Sequence, residues 1–584
     1  MRFPIRKKNK MGLSFSNSPV LLMKLPKWRS KLIFLILLIS FSFLILRAIY
    51  LQAVSKEFLQ RQGKIRYERI VKIPAMRGKI LDRNKNLMAA SIPAKSIWVN
   101  PKTLEISSEE FFRLADLLNM KVSDLSKKLT SNKTFVYLKR KVDIQKADEI
   151  LALNIPGIGS EKSYKRSYPK GEITAHLLGF TDINDRGQEG IELSQQSVLS
   201  GDFGSRQVIR DGQMRIVENK KYIKKPKNGR DLILSIDNKI QYIAFSALKE
   251  AVEKNNANAG GIVVLDVKTG EVLALANLPT FDPNLRQNLE WGNLRNRVMT
   301  DTFEPGSTIK PFAVSIAMEK GLITPNMKIN TPKKIKIGSS IIGDSMDHEI
   351  NMTVSEIIQQ SSNVGMVKIS QKLKPSQMWK IYDQVGFGKE PDIGFPGAAS
   401  GIVRPFKSWK PIEQATISYG HGISVSLIQI ARSYMIFARK GEIIPLSFLK
   451  INKKPKGKKV ISSETAKKVI RMMELVVNND GTAPQAQVRG YRVAGKTGTS
   501  QKNKFGKYVN KYVASFVGLI PASNPRIIIA VMIDEPKGKK YSGGSVAAPV
   551  FSKVAVSSLR SLDVPPDLDV AKTVITKKIN LENM

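Results

Sequence analysis

One stretch of the chain differs from the rest in its pattern of apolar positions. Leu32–Leu46 (LIFLILLISFSFLIL) runs fifteen residues without a charge, and after Arg47 the segment Ala48–Leu51 continues it. A helix over 32–51 rises about 30 Å, the thickness of a hydrocarbon core. Arg47 can snorkel to the headgroups, and Trp28 and Tyr50 fall where interfacial aromatics sit. A cleaved secretory leader is the competing reading, but the run is long for one and no small-x-small site follows it. The pattern therefore predicts an uncleaved transmembrane signal anchor over 32–52. Residues 1–31 hold nine basic residues and no acidic one, which predicts a cytoplasmic tail. The margin is small, because 47–72 carries seven basic residues against two acidic.

Beyond the anchor the pattern becomes mixed. Residues 53–235 alternate strand-like runs such as Tyr67–Ile73 with Gly/Pro turns and charged helical patches, including Phe111–Leu118 leading towards a helix around Val122–Leu129. From 236 the signals sharpen. Leu232–Ile236 reads as a strand ending at a helix cap, Asp237, and Gln241–Lys254 has helical periodicity. Gly261–Asp266 and Glu271–Asn277 flank a turn at Lys268–Gly270 and read as a β-hairpin. A helix-rich middle precedes a late strand pair, Tyr512–Gly518 and Arg526–Asp534. The expected fold class is α/β of the α+β kind, an antiparallel sheet flanked by helices over 236–560. Val564-Pro565-Pro566 marks a polar tail over 561–584.

Composition narrows the chemistry. The chain has 584 residues, 94 Lys+Arg against 49 Asp+Glu for a net charge of +45, and no Cys. A disulfide framework, thiolate metal sites and cysteine nucleophiles are thereby excluded. His176, His348 and His421 are the three histidines, and none stands at metal-ligand spacing. The basic residues are dispersed, and the short clusters such as Lys453–Lys459 carry no recognition motif, which argues against nucleic acid. A basic exterior suits anionic lipid or cell-wall polymer as well.

Ser307-Thr308-Ile309-Lys310 follows Glu304-Pro305-Gly306. The Pro-Gly turn predicts that Ser307 opens a helix with Lys310 one turn on, on the same face. A serine hydroxyl needs a base to become a nucleophile, and with no available histidine a lysine amine can serve. The helix start also aims free N–H groups at an oxyanion. The pattern alone is weak, since Ser167/Lys170, Ser246/Lys249 and Ser447/Lys450 repeat it. Two further elements give context. Ser361-Ser362-Asn363 comes 54 residues after Ser307, and Lys496-Thr497-Gly498-Thr499 comes 135 residues after Ser361. In the latter, small residues let a backbone edge lie against a ligand, while Lys496 and the Thr497 and Thr499 hydroxyls can hold a carboxylate. A second Lys-Thr-Gly, Lys268–Gly270, sits in the hairpin turn before Glu271 and reads as structural, because that carboxylate would repel an anionic ligand.

In this order and spacing the three motifs resemble the signature of penicillin-binding proteins and serine β-lactamases. Met76–Asn100, Ala175–Asp182 and Gly187–Leu193 look like the pedestal of class B penicillin-binding proteins. Ala259–Asn284, Thr302–Phe312 and Ser418–Ser424 (SYGHGIS) look like their transpeptidase domain. Ser361–Gly365 (SSNVG) resembles the division-specific, septal branch. His421 and Ser424 depart from that family's usual Tyr and Thr, a change expected at the pocket rim rather than in the catalytic trio.

The resemblance implies an elongated β-rich pedestal over 53–235 and a transpeptidase domain over 236–560. It also implies a D,D-transpeptidase that cross-links peptidoglycan stem peptides at the septum. Ser307 is then the nucleophile and Lys310 its base, made neutral by burial and by the charge of Lys496. Ser361 relays the proton to the leaving amine, and Asn363 orients the substrate amide and Lys310. The N–H groups of Ser307 and Thr499 form the oxyanion hole, and Lys496, Thr497, Gly498 and Thr499 line the substrate. No metal or cofactor is called for. β-Lactams are expected covalent inhibitors. A multispanning lipid II polymerase and other divisome membrane proteins are the expected partners, met in the inner membrane with the catalytic domain in the periplasm. Three alternatives share the motifs. A β-lactamase fits poorly with an anchor and pedestal. A D,D-carboxypeptidase differs only in using water as acceptor. A non-enzymatic division scaffold or β-lactam sensor fits poorly with an intact set of motif residues.

Overall fold

The computed structural model describes residues 26–211, 216–285, 290–344, 348–504 and 506–568. Most of the expected cytoplasmic tail, through residue 25, and the polar tail from 569 lie outside the described residues.

Pro26, with no N–H to donate and a pre-set φ, starts a helix that runs Lys27–Ile49 and continues through a π-type turn at Tyr50–Val54. Among the described residues it is the one helix long and apolar enough to cross a membrane. Its apolar side chains are uncovered along the whole run from Leu32 to Leu46. In water such a surface is untenable; in a bilayer it is matched.

Contacts divide the chain into two compact units. The first comprises the described residues through Lys72 together with Ser205–Lys224. Besides the long helix it holds a second helix, Lys56–Tyr67, and the strands Glu68–Ile73, Gly204–Arg210 and Ile216–Lys224, which form a three-stranded sheet.

The second unit runs from Ile73 to Gly204 and resumes at Lys225. Its N-terminal part is organised on one long strand, Leu87–Val99, which pairs antiparallel with Val136–Asp143 and Ile158–Ser167. The helices Ser108–Leu117 and Val122–Leu129 stand where the sequence places them, the first held by a reciprocal Ser107/Glu110 cap. Ile97, Val99, Leu114, Leu125, Leu138 and Ile150 form a small core of their own.

A buried ion cluster supports the same region. Both oxygens of Glu192 accept from guanidinium groups, Arg77 Nε at 2.6 Å and Arg166 Nε at 2.7 Å, and all three residues are at most 3% exposed. Tyr168 Oη donates to the same carboxylate.

The remainder is an α+β domain, as expected. In chain order its principal elements are α1 (Asn238–Lys254), β1 (Ala259–Asp266), β2 (Val272–Leu278), α2 (Lys310–Glu319), α3 (Val354–Gln359), α4 (Asn363–Gln371), β3 (Ala494–Lys504), β4 (Lys507–Ile520), β5 (Ile527–Asp534) and α5 (Ala548–Ser561). Asp237 caps α1 by accepting from Lys239 N and Ile240 N. The five strands form one antiparallel sheet in the order β2-β1-β5-β4-β3. Every residue of β1 and β2 is buried, the mark of a sheet covered on both faces, and α1 and α5 supply part of that cover. β3 is the edge strand, so one row of its backbone groups is left for something other than the sheet.

Removing the shared carboxylate strands two buried guanidinium groups. Glu192→Ala is expected to destabilise the protein by about 3–5 kcal/mol, the range for breaking a buried pair. Denaturant unfolding of the detergent-solubilised chain checks it, and an unchanged midpoint would contradict the argument.

Candidate active site

The site is assembled where the turn before α2, the turn before α4 and the edge strand β3 converge. Gly306 has φ +53° and donates its N–H to Gly420 O at 3.3 Å. It begins a 3₁₀ turn, Gly306–Ile309, on which Ser307 lies half-buried. Ser307 therefore precedes the α-helix rather than opening it, and Lys310 is the first residue of α2. The turn is fixed from two sides. Thr308 Oγ1 donates to Pro305 O at 2.7 Å, and the buried Tyr434 Oη donates to Thr308 O at 2.7 Å.

Lys310 is fully buried and its amine is directed at the second motif. Nζ donates to Ser361 O at 2.6 Å, Asn363 Oδ1 at 2.8 Å and Ser361 Oγ at 3.3 Å. Ser361 sits at φ +60°, a left-handed conformation that few side-chain-bearing residues adopt. That backbone turn points both its carbonyl and its hydroxyl at the same amine, a case of local strain kept at a functional position. Ser362 then caps α4, accepting from Gly365 N at 2.9 Å and donating to Asp344 Oδ2 at 2.6 Å. Asp344 also accepts from Asn363 N, Val364 N and His348 Nε2, so one carboxylate holds the first turn of α4 in place.

The third motif enters from β3. Lys496, also fully buried, donates to Ser361 Oγ at 2.9 Å and to Thr497 Oγ1 at 3.3 Å. Thr497 Oγ1 meets Thr482 Oγ1 at 3.0 Å, and Thr499 Oγ1 accepts from Gly543 N at 3.1 Å. Gly498 has no room for a side chain: a Cβ there would stand 2.4 Å from Ser515 Oγ and 2.9 Å from Pro305 O. Its bareness is what lets the edge strand lie against the turn that carries Ser307.

Charge follows from this packing. Burial pushes the Lys310 amine down to about 7, against the opposing pull of the Asp344 carboxylate. Lys496 is held well below its ordinary value, first by burial and then by the charge of Lys310. Of the two causes expected to make Lys310 neutral, burial and the charge of Lys496, burial is the one that acts. Desolvation does that work, and the nearby charge acting on Lys310 is the carboxylate, which opposes it. Such an arrangement can pass a proton between hydroxyls and an amine that is poised near neutrality.

All eight residues singled out from the sequence, Ser307, Lys310, Ser361, Asn363 and Lys496–Thr499, lie on these three converging segments. Asp344 and Tyr434 were not legible as site residues. Asp344 lies in a polar loop between strands, with no spacing that marks it. The decoys separate as expected. Lys249 pairs with Glu172 and Lys450 donates to Arg83 O. In the second Lys-Thr-Gly, Thr269 Oγ1 donates to Glu271 and Gly270 (φ +76°) leaves no space for a Cβ beside Pro445 O.

Comparison with known proteins agrees with this geometry. Residues 260–555 match the penicillin binding protein transpeptidase domain and 72–234 the penicillin-binding protein dimerisation domain. The chain therefore belongs to the class B penicillin-binding proteins. Its relatives are of the septal, PenA/FtsI type. It is 41% identical over 544 residues to the probable peptidoglycan D,D-transpeptidase PenA of Neisseria gonorrhoeae, covering 92% of this chain and 93% of that one. To the peptidoglycan D,D-transpeptidase FtsI of Escherichia coli it is 36% identical over 548 residues, with the same coverage. Among solved structures, the transpeptidase domain of Burkholderia pseudomallei penicillin-binding protein 3 is 47% identical with a TM-score of 0.54, over 57% of this chain and 98% of that one. Penicillin-binding protein 3 of Mycobacterium tuberculosis, complexed with aztreonam, is 28% identical with a TM-score of 0.67, over 86% and 99%.

An amine that must be neutral to accept a proton sets the pH dependence. Acylation by a β-lactam is expected to fall about tenfold per pH unit below about 7 and to level off above it, as protonation disables Lys310. In Asp344→Asn the charge that favours protonated Lys310 is gone, so the inflection moves to lower pH. Stopped-flow acylation across pH 5–9 measures both, and an inflection unmoved by Asp344→Asn would contradict the second.

Proposed function

We infer that the protein is a peptidoglycan D,D-transpeptidase of cell division, working through a serine acyl-enzyme. The observation that carries this is the single buried cluster in which Lys310 and Lys496 meet at Ser361, with Asn363 beside them. Ser307 attacks the carbonyl between the last two D-alanines of a stem peptide, and Lys310 in its neutral form takes the hydroxyl proton. The oxyanion develops between the N–H groups of Ser307 and Thr499; losing one such donor typically costs about 10²–10³ in rate. Ser361 hands the proton to the departing D-alanine amine, and Asn363 holds both the substrate amide and the base. Lys496 and the hydroxyls of Thr497 and Thr499 face the substrate carboxylate, with Gly498 allowing the close approach. A neighbouring stem's amine then attacks the acyl-enzyme and completes the cross-link. β-Lactams imitate the D-alanyl-D-alanine end and acylate the same hydroxyl.

The domains follow from this reading: a cytoplasmic tail over 1–31, an anchor over 32–52, a pedestal over 53–235, a periplasmic catalytic domain over 236–560 and a polar tail over 561–584. The anchor and pedestal are the surfaces offered to a lipid II polymerase and other divisome membrane proteins.

Ser307→Ala is expected to abolish covalent uptake of labelled penicillin while Lys496→Ala merely slows it; label surviving Ser307→Ala refutes the nucleophile. With a stem-peptide substrate, cross-linked dimer is the expected product, and release of D-alanine alone would make the protein a carboxypeptidase. Depletion from its own cell should give filaments, where round cells would point to elongation.

A further inference from the structure

Lysines are spread along the sequence, but the fold gathers a set of them on one face that the mechanism above does not use. Lys268 lies on the turn between β1 and β2. Its carbonyl accepts from Arg439 Nη1 at 3.1 Å, which sets the turn of Lys440 beside it. Lys440 O accepts in turn from Lys459 Nζ at 2.8 Å, and the short strand Glu442–Ile443 pairs antiparallel with Lys458–Lys459. At the other end of the same loop Lys450 Nζ donates to Arg83 O at 3.0 Å, two residues before Lys85. Between these two anchor points runs Lys453–Lys459, with five lysines and no acid. Those five and Lys85, Lys268, Lys440 and Lys450 are all exposed.

The nearby acids do not neutralise them. Among the described residues none of these lysines forms an ion pair with a carboxylate. Asp266 pairs with Arg526, Glu271 with Arg83, and Glu442 faces Arg439 at 3.7 Å. Asp82 is buried and accepts from Asn84 N and Asn86 N, while Glu319 is engaged by Ser462 and Thr465. Like charges collected in this way repel one another, and a bound polyanion relieves the repulsion. The kind of cation also matters. Arg83 and Arg439 turn onto Glu271 and onto backbone carbonyls, so the outward charges are ammonium groups. An ammonium is a hydrated point charge on a flexible stem, without the fork that fixes a carboxylate in one orientation. Such a face grips a repeating anion through many weak contacts rather than in a pocket. No large apolar side chain is exposed between Tyr434 and Ile461. The face therefore lacks the anchors with which a protein enters a lipid surface, and the rings on which bases stack.

We propose that this face is an exosite for uncross-linked peptidoglycan strands, whose stem peptides present carboxylates at intervals along a neutral glycan. Resting on the transpeptidase reading, which supplies the polymer, the exosite holds neighbouring stems of a strand while one of them occupies the catalytic cleft. Retention raises the local concentration of donor stems without tightening the cleft itself.

The test uses the full chain in detergent, its cleft first blocked by covalent penicillin so that binding elsewhere is what is read. The probes are fluorescent soluble glycan strands bearing pentapeptide stems, the same strands stripped of their stems by an amidase, and vesicles containing phosphatidylglycerol. The wild type should bind stem-bearing strands more tightly at about 0.01 M salt, where the Debye length is about 30 Å, than at about 0.15 M, where it is about 8 Å. Stripped strands should bind at least about tenfold more weakly. The triple variant Lys453→Gln, Lys454→Gln, Lys456→Gln should weaken binding of stem-bearing strands about tenfold at the lower salt and flatten the salt dependence. Its cross-linking of a short soluble stem peptide should stay within about twofold of wild type, because none of the three touches the cleft. Lys268→Gln with Lys440→Gln, on separate turns, should weaken strand binding in the same direction, and reports independently if the loop variant misfolds. Unchanged strand affinity in both variants overturns the proposal, as does equal binding of stripped strands or a lysine-dependent preference for the vesicles. Failure of the transpeptidase reading looks different: the wild type would neither take up penicillin nor cross-link the short peptide, a result read without any strand present.

Discussion

Two lysine amines buried around one serine hydroxyl set the terms for the rest of the molecule. Lys310 and Lys496 are both fully buried, and both donate to Ser361 Oγ. An ammonium removed from water is costly unless paired, and a second beside it is more so. The cluster is tenable only with the amines driven towards neutrality, which is the state a general base requires. Segments 51 and 135 residues apart in sequence meet at that hydroxyl, as the separations of its two hydrogen bonds record. Folding and the lowered basicity of Lys310 are thus one event. The low-dielectric interior that holds the three motifs together also supplies the shift in basicity, and one carboxylate, Asp344, moderates it.

The sheet makes this possible by presenting a bare edge. β5 and the half of β4 that pairs with it, Val513–Ile520, are buried, while β3 lies at the edge of the sheet. Against that edge the chain places the 3₁₀ turn of Ser307, and the two backbones approach closely because Gly498 carries no side chain. A Cβ on Gly498 would collide with Ser515 and with the backbone of Pro305. The rigid sheet on one side and the Tyr434 hydrogen bond on the other leave the turn little freedom, so Ser307 is held in one place.

Features carried by periodicity or by short-range chemistry could be read from the sequence. The apolar run at 32–51, the Asp237 cap, the hairpin around Lys268–Gly270 and the β4–β5 pair all depend on neighbours in the chain, and all are present in the structure. The three motifs are local too, and the segments they mark converge in the structure. What escaped depends on partners distant in sequence. The left-handed Ser361, the clamp of Asp344 on α4 and the contact of Glu304 with Tyr508, 204 residues away, leave no local trace. The sign of the electrostatic influence on Lys310 escaped too. Burial was legible as a cause, but the sequence offered a second lysine as the charge acting on Lys310, and in the packed structure that charge is a carboxylate.

Electrostatics therefore operates here at two scales with opposite demands. The chain as a whole carries +45, dispersed over its length, a field suited to anionic lipid and wall polymer within a Debye length of about 8–10 Å. Inside the catalytic cleft the same residue type must lose its charge, and does so by desolvation rather than by pairing with acids, because pairing would fix the proton on the base. A helix long enough to cross the bilayer reconciles the two. Once the enzyme is tethered near its substrate, effective concentration replaces affinity, and strong attraction at the reacting groups is unnecessary. The cleft is then free to devote its polar contacts to the transition state, where binding accelerates the reaction, rather than to holding the ground state.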